Sequence, residues 1–293
     1  MADVRTQFQE EIRGKLGPVD VLPVPDGGVH RFHVPGDRAG SKNGWYVLHA
    51  DSADLAYGAF GSWKSGDRHA WSSRQSEAPI DAAIRHQRAE QCRSQREIEC
   101  SRRQQEAAQF ARRLWCQAGH ADPHHPYLVS KRCDVHGLRQ QGEVLLVPLC
   151  YQGQLVNVQR IFLDGTKRFL SGGRVNGCYS PIGAFTKGMP LYICEGWATG
   201  ATIHETTGAP VAAAMNAGNL LPAGQELSRR YPQMTLIVAG DDDRGTSGNP
   251  GRAAATKAAD ALGIGLVFPA WPEGAPLTLT DFNDLRHWQE GRA

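Results

Sequence analysis

The chain reads as an α/β protein: a mostly parallel sheet flanked by helices in its last third, preceded by a mixed α+β segment and a small antiparallel β domain at the N-terminus. Three observations predict this. From residue 188 onward, short apolar runs alternate with helical stretches, the pattern of strands laid parallel and covered by crossover helices. Residues 79–117 contain no glycine, and no proline after Pro79, and are dominated by Arg, Gln, Glu and Ala, which predicts one long helix. Residues 21–75 are instead rich in glycine, aromatics and turn dipeptides.

In chain order, residues 1–20 predict a short amphipathic helix ending near Gly17-Pro18. Residues 29–34, 44–49 and 55–60 are short β runs separated by Pro-Gly, Lys-Asn-Gly and Lys-Ser-Gly turns, hence an antiparallel sheet. The helix over 79–117 follows, broken by Gly119 through Pro126. Residues 127–187 are β-rich: EVLLVPLC and LVNVQRIFL alternate like strands, and LDGTKRFL turns back at Asp164-Gly165. Four apolar runs then stand out, PLYICEG, APVAAAM, MTLIVAGDDD and IGLVFPAW, with helical stretches from Ala198 and through Leu262. The expected division is 1–78, 79–118, 119–187 and 188–293.

At 293 residues there is room for about two domains. Hydrophobic residues make up 41% and charged residues 21%, which excludes a wholly disordered chain. No run approaches the ~18 apolar residues of a membrane span, and the first residues lack the apolar stretch of a signal peptide. Seven scattered cysteines without a Cys-x-x-Cys predict a reducing, cytoplasmic setting. Cys92 and Cys100 on the long helix, and Cys194, have no context of a nucleophile, and His124-His125 before Pro126 read as a turn. Charge is uneven: residues 1–187 hold 25 Lys and Arg against 19 Asp and Glu, residues 188–293 hold 7 against 11. A basic front and an acidic back suit a polyanion on one part and a cation on the other, or are a lean of surface charge.

Ligands of open α/β sheets bind beyond the carboxyl ends of the strands. Two such ends carry acids. Glu195 follows LYIC, and Asp241, Asp242 and Asp243 follow LIVAG. Alternate side chains of an extended segment share a face, so Asp241 and Asp243 point together while Asp242 points away. Three converging carboxylates repel unless a cation neutralises them, and hard oxygen ligands suit Mg²⁺ or Mn²⁺.

LYICEGWATGATIHETTG and LIVAGDDDRGTSGNPGRAAATKAADAL closely resemble a Toprim domain, the metal-binding module of bacterial-type primases, topoisomerases and some nucleases, over about residues 188–290. The resemblance puts the family's glutamate on Glu195 and its Asp-x-Asp on Asp241 and Asp243. The late acidic stretch TDFNDL resembles a primase motif that brings Asp281 and Asp284 near the site. Upstream, HPYLVSKRC, LLVPLCYQGQLVNVQRIFLDGTKRFLSGG and GCYSPIG resemble the segment before Toprim in phage, plasmid and conjugative-element primases, which topoisomerases and the nucleases lack. There Lys131, Arg132, Arg160, Lys167 and Arg168 are read either as a basic wall facing the acids, holding template backbone and nucleoside triphosphate, or as charges that solvate a hairpin.

The N-terminal sheet resembles the framework of a primase zinc ribbon without its paired cysteines. His30 and His33 have metal-like spacing but no second pair, and structural zinc takes four ligands, so no zinc is expected. Trp45, Tyr46, Phe60, Trp63 and Trp71 serve as core or as a base-stacking surface. The resemblance implies a DNA-directed RNA polymerase of the primase type from a mobile element. It would use single-stranded DNA and NTPs, with Glu195, Asp241, Asp243 and Asp281 on Mg²⁺ or Mn²⁺. Without a Walker A sequence, any helicase is a separate partner. The alternatives are a Toprim-type nuclease and a non-catalytic single-strand-binding replication accessory.

Overall fold

The structure, a computed structural model, describes residues 3–37, 40–50, 56–63, 66–73 and 79–291, with the side chains of 79–92 and of residue 96 outside the description. Cys92 therefore lies outside it, as does Leu55 of the third expected strand. The chain divides into two units, residues 1–92 and 93–293. No helix among the described residues is long and apolar enough to cross a membrane.

In the first unit, helix α1 (Val4–Leu16) lies on a four-stranded antiparallel sheet of β1 (His30–Phe32), β2 (Gly44–Ala50), β3 (Ala56–Ser62) and β4 (Arg68–Ser72), in that order. Strand alternation sorts the aromatics. Tyr46 and Phe60 point inward onto Phe8 of α1, and Trp71 packs at the margin of that core. Trp45 takes the other face, its ring centre 5.7 Å from Trp63, which is 62% exposed. His30 lies 2.9 Å from an Asp26 carboxylate oxygen and stacks on Tyr46, and His33 Nδ1 sits 3.0 Å from the Ser41 carbonyl.

The predicted long helix is α2 (Pro79–Gln117). In the second unit Ala111 and Leu114 of its last turns, with Ala118 just beyond it, pack against one face of an antiparallel sheet. That sheet consists, in order, of β5 (Gly119–His120), β6 (Arg139–Gln141), β7 (Val144–Tyr151), β8 (Gln154–Ile161) and β9 (Lys167–Phe169). The stretch expected to be purely β also holds a short helix, α3 (Pro126–Lys131). His125 starts it by accepting the Tyr127 N–H at 3.2 Å, which gives the His124-His125 turn a capping role.

The C-terminal sheet is β10 (Ser180–Ile182), β12 (Val211–Ala213), β11 (Leu191–Cys194), β13 (Leu236–Ala239) and β14 (Gly265–Val267) in spatial order, parallel except for β10. Helices cover both faces. On one, α4 (Trp197–Thr207) and α7 (Phe282–Glu290) share a core with Tyr127, Leu128, Leu145 and Ile161, so segments 119–187 and 188–293 meet in one hydrophobic interior. On the other, α5 (Leu220–Arg230) and α6 (Pro250–Leu262) bury Leu220, Leu227, Ala255 and Ala259. Helices α5 and α7 add two elements to those the sequence predicts.

Candidate active site

The parallel register pairs Cys194 with Ala239, so β11 and β13 finish side by side. Glu195 and Asp241 leave the sheet one and two residues beyond that pair. Gly240 permits the exit, because a Cβ there would meet Ala255 Cβ at 2.4 Å and the Phe268 ring at 2.5 Å. The Glu195 carboxylate accepts a hydrogen bond from the Ala217 N–H at the start of a 3-10 turn.

The three consecutive aspartates divide as extended backbone requires. Asp242 turns away and is 3% exposed; it accepts hydrogen bonds from Asn249 Nδ2 (2.7 Å), Arg252 Nε (2.9 Å) and Trp271 Nε1 (3.1 Å). The Arg252 bond is the main reason its carboxyl titrates below the ordinary range. Asp243 receives the Gly251 N–H at 2.7 Å, in the first turn of α6. Asp241 has no such support: its Oδ1 is buried without a hydrogen-bond partner. Burial, then the negative charges of Asp281, Glu195, Asp243 and Asp284, push its pKa up to about 8. Glu195 is raised too, by burial and by Asp243 and Asp281, against the Ala217 N–H and Lys167.

The TDFNDL stretch is the start of α7. Asp281 is its N-cap: Oδ1 accepts the Asp284 N–H at 2.8 Å, and Oδ2 accepts the Thr199 hydroxyl at 2.9 Å from α4. Asp284 in turn accepts the Thr280 N–H at 2.9 Å. The structure thus gathers Glu195, Asp241, Asp243, Asp281 and Asp284 into one field of negative charge.

Of the expected basic wall, only part faces that field. The Lys167 ammonium lies 5.1 Å from the centre of the Tyr127 ring. Burial and neighbouring Lys131 lower its pKa, while Asp281 and Glu195 pull it up. Lys167 pairs across the sheet with Ile161, whose side chain is in the core shared with α4. Arg168 pairs with Arg160, and Arg160 with Leu146, whose face packs on α2. Successive side chains in a strand alternate faces, so Arg160 and Arg168 are turned away from the carboxylates that Lys167 meets, and a wall of all five does not form. Arg132 is also engaged elsewhere, 3.0 Å from Glu290.

A second constellation escaped sequence reasoning. Asp134, His136 and Glu205 bring three ligand atoms within 4.8 Å of one another, a set able to coordinate a divalent cation. Among the described residues it is the one trio that tight, so the strand-end carboxylates stand wider apart. Glu205 already has partners on both oxygens, His136 Nε2 at 2.6 Å and the Arg286 guanidinium. Only the three-dimensional structure joins these positions, since nothing in their spacing marks them.

Fit to a cation can be judged from the strand-end site itself. A buried, unpartnered Asp241 oxygen amid four further carboxylates is a donor set short of positive charge, and oxygen donors of this kind suit Mg²⁺ or Mn²⁺.

Residues 190–293 match the family model described as Toprim domain. Two proteins of Escherichia coli, each named DNA primase TraC, are 34% identical over 276 residues (86% of this chain and 25% of the relative) and 32% identical over 280 residues (90% and 19%). The chain therefore spans about a quarter or less of the length of these curated relatives. Among solved structures, similarity extends to a bacteriophage T7 assembly with primase domains of two gp4 subunits bound to an RNA/DNA hybrid and dTTP. The TM-score is 0.40 at 16% identity, covering 56% of this chain and 86% of that one. It extends also to the DnaG catalytic core, with TM-score 0.36 at 15% identity, covering 59% and 58%.

Proposed function

We propose, for a chain that carries a Toprim domain and is related to the TraC-type DNA primases, that it makes short oligoribonucleotides on single-stranded DNA by cation-dependent nucleotidyl transfer. The observation that carries this reading is the unpartnered Asp241 oxygen within the acidic field, with Lys167 beside it. Glu195, Asp241, Asp243 and Asp281 would hold Mg²⁺ or Mn²⁺. When bound, the divalent cation supplies charge neutralisation at the triphosphate and a lower pKa for the primer 3′-hydroxyl.

The chain's own residues do the rest. Lys167, exposed on β9, and half-buried Lys131 bind and orient phosphate oxygens of the incoming nucleotide through charge-assisted hydrogen bonds. Arg160 and Arg168, on the face toward α2, are assigned to the template backbone. Segment 119–187 acts as the basic subdomain, and 188–293 as the cation-holding domain. The N-terminal unit is read as a ribbon-like β domain without a zinc ligand set. A separate helicase, and a cytoplasmic setting on a mobile element, complete the proposal.

The test is to incubate the protein with single-stranded DNA, Mg²⁺ or Mn²⁺ and labelled NTPs, and to size the products. Template-dependent oligonucleotides support the reading; DNA cleavage without NTPs would replace it with a nuclease. In the same assay, Lys167→Met is expected to weaken nucleotide binding roughly tenfold, the scale of one charge-assisted phosphate contact. Arg168→Ala should leave nucleotide binding within about twofold while flattening the salt dependence of DNA binding by ~0.7 in log–log slope. Equal nucleotide-binding losses in both variants would contradict the two-faced arrangement.

A further inference from the structure

Helix α7 brings Asp281 to the acidic site with its first residue cap, and a buried network grips its later turns. Helix α3 has six residues, so its last carbonyls lack acceptors' usual partners within the helix. Side chains of α7 supply them. The Lys131 carbonyl accepts from Asn283 Nδ2 at 2.8 Å, lies 3.1 Å from His287 Nε2, and receives Arg286 Nη2 at 3.3 Å. Arg286 also donates to the Arg132 carbonyl at 2.5 Å. Asn283 is fully buried and donates to Thr202 Oγ1 of α4 at 2.9 Å.

Glu205 closes this network. It sits near the end of α4, accepts the Asp134 N–H at 2.9 Å, lies 2.6 Å from His136 Nε2, and takes the Arg286 guanidinium on its other oxygen. Both members of the Glu205–Arg286 pair are largely buried, at 17% and 16% side-chain exposure. A buried ion pair is a costly way to join two helices, since apolar side chains of similar volume often do so at equal or greater stability. What the pair adds is direction: a charge-assisted contact is satisfied in one register, whereas apolar packing tolerates several. The register it sets has two consequences. Asn283, Arg286 and His287, along one face of α7, hold the α3 terminus that carries Lys131, the neighbour that Lys167 feels, and the cap of the same helix is Asp281.

We propose that Glu205 is a positioning residue for the cation site: through Arg286 it fixes the register of α7 at which Asp281 faces Glu195 and Asp241 while Lys131 stays beside Lys167. The inference rests on the reading that the acidic cluster holds a divalent cation.

The decisive variant is Glu205→Met with Arg286→Met, which removes both charges and so strands neither in the interior. Mn²⁺ affinity is measured by calorimetry, and the thermal midpoint is measured without metal. The expected result is at least a tenfold loss of Mn²⁺ affinity with the midpoint within a few degrees of the unmodified chain. Asp134→Asn, which removes a carboxylate of the Asp134, His136 and Glu205 trio and leaves the Glu205–Arg286 pair intact, should bind Mn²⁺ as the unmodified chain does; a matching loss in Asp134→Asn would make Glu205 a direct ligand and overturn the proposal. Arg286→Lys, which keeps the charge but loses the fork, should lie between the two. A folded double variant with Mn²⁺ affinity within twofold of the unmodified protein would overturn the proposal and leave the pair a structural contact. Should the double variant fail to fold, hydrogen exchange on the unmodified chain decides. Mn²⁺ must then slow exchange across residues 131–136 and 283–290 more than across α5 and α6, which pack on the opposite face of the sheet; equal slowing would reject it. An unmodified protein that binds no Mn²⁺ would overturn the cation reading itself, a result distinct from unaltered binding in the double variant.

Discussion

Oligonucleotide synthesis is expected to fall by on the order of a thousandfold or more in Asp241→Asn, and by a similar factor in Glu195→Gln. Each substitution keeps the shape of the side chain and removes one negative charge from the cluster. A cation held by the remaining carboxylates would be bound more weakly and aimed less well at the triphosphate, and several kcal/mol of transition-state stabilisation depend on it. The fold should persist, because Asp241 Oδ1 has no hydrogen bond to lose. Asp242→Asn should behave in the opposite way. Its three side-chain hydrogen bonds tie the loop to Arg252, Asn249 and Trp271, so stability falls by about 1–3 kcal/mol. Synthesis per folded molecule would be retained far better than in Asp241→Asn. Rates from single-turnover extension, read beside urea unfolding curves, separate the two. Full synthesis in Asp241→Asn and in Glu195→Gln would remove both residues from the chemistry.

The second large effect concerns pH. In the metal-free fold Asp241 keeps its proton up to about pH 8, against a reference value of 3.8 in an unfolded chain. Between those values the folded state binds the extra proton, so it is the folded state that gains from acidity at this position. The contribution of Asp241 is therefore most favourable below about pH 4, declines as pH rises, and is fully lost above about pH 8. Asn at this position carries no charge to bury. Metal-free Asp241→Asn should match the unmodified protein near pH 4.5 and exceed its stability at pH 8.5 by about 4–5 kcal/mol. Saturating Mg²⁺ should reverse that order, since ligand binding stabilises only the form that binds. Thermal melts across this pH range, with chelator and with Mg²⁺, give the comparison. Parallel curves for the two proteins at every pH would contradict it.

How far the sequence discloses this arrangement differs from element to element. Helix α2 is legible because its 39 residues, opened by Pro79, contain no further breaker. Strands β11 and β13 are legible because each is an apolar run that ends on acids. Helix α5 is hidden by Pro222 and Gly224. The proline sits in the first turn, where no N–H is needed, and the glycine lets Leu262 of α6 approach, with a Cβ there only 2.4 Å from Leu262 Cδ1. Helix α7 is hidden by brevity: nine residues after a Thr- and Pro-rich stretch read as a loop. The acidic cluster was legible in Glu195, Asp241 and Asp243 because strand ends and alternation are local properties. The faces of Arg160 and Arg168 were not, because they depend on the register of the β8–β9 hairpin; once the turn is placed, alternation alone would have separated Lys167 from Arg168. The Glu205–Arg286 pair joins positions 81 residues apart, and no local signal announces it.

The most direct test of the central claim, that the strand-end carboxylates form a site awaiting a divalent cation, is the number of protons released when Mn²⁺ binds at pH 7. With Asp241 titrating at about pH 8, roughly nine-tenths of the metal-free molecules carry its proton at that pH, and a cation must displace it. Calorimetric titrations in buffers of different ionisation enthalpy should return one strong site with close to one proton released, and Asp241→Asn should show much weaker binding with almost none. Mn²⁺ binding of undiminished affinity in Asp241→Asn, or binding to the unmodified chain without proton release, would contradict the account.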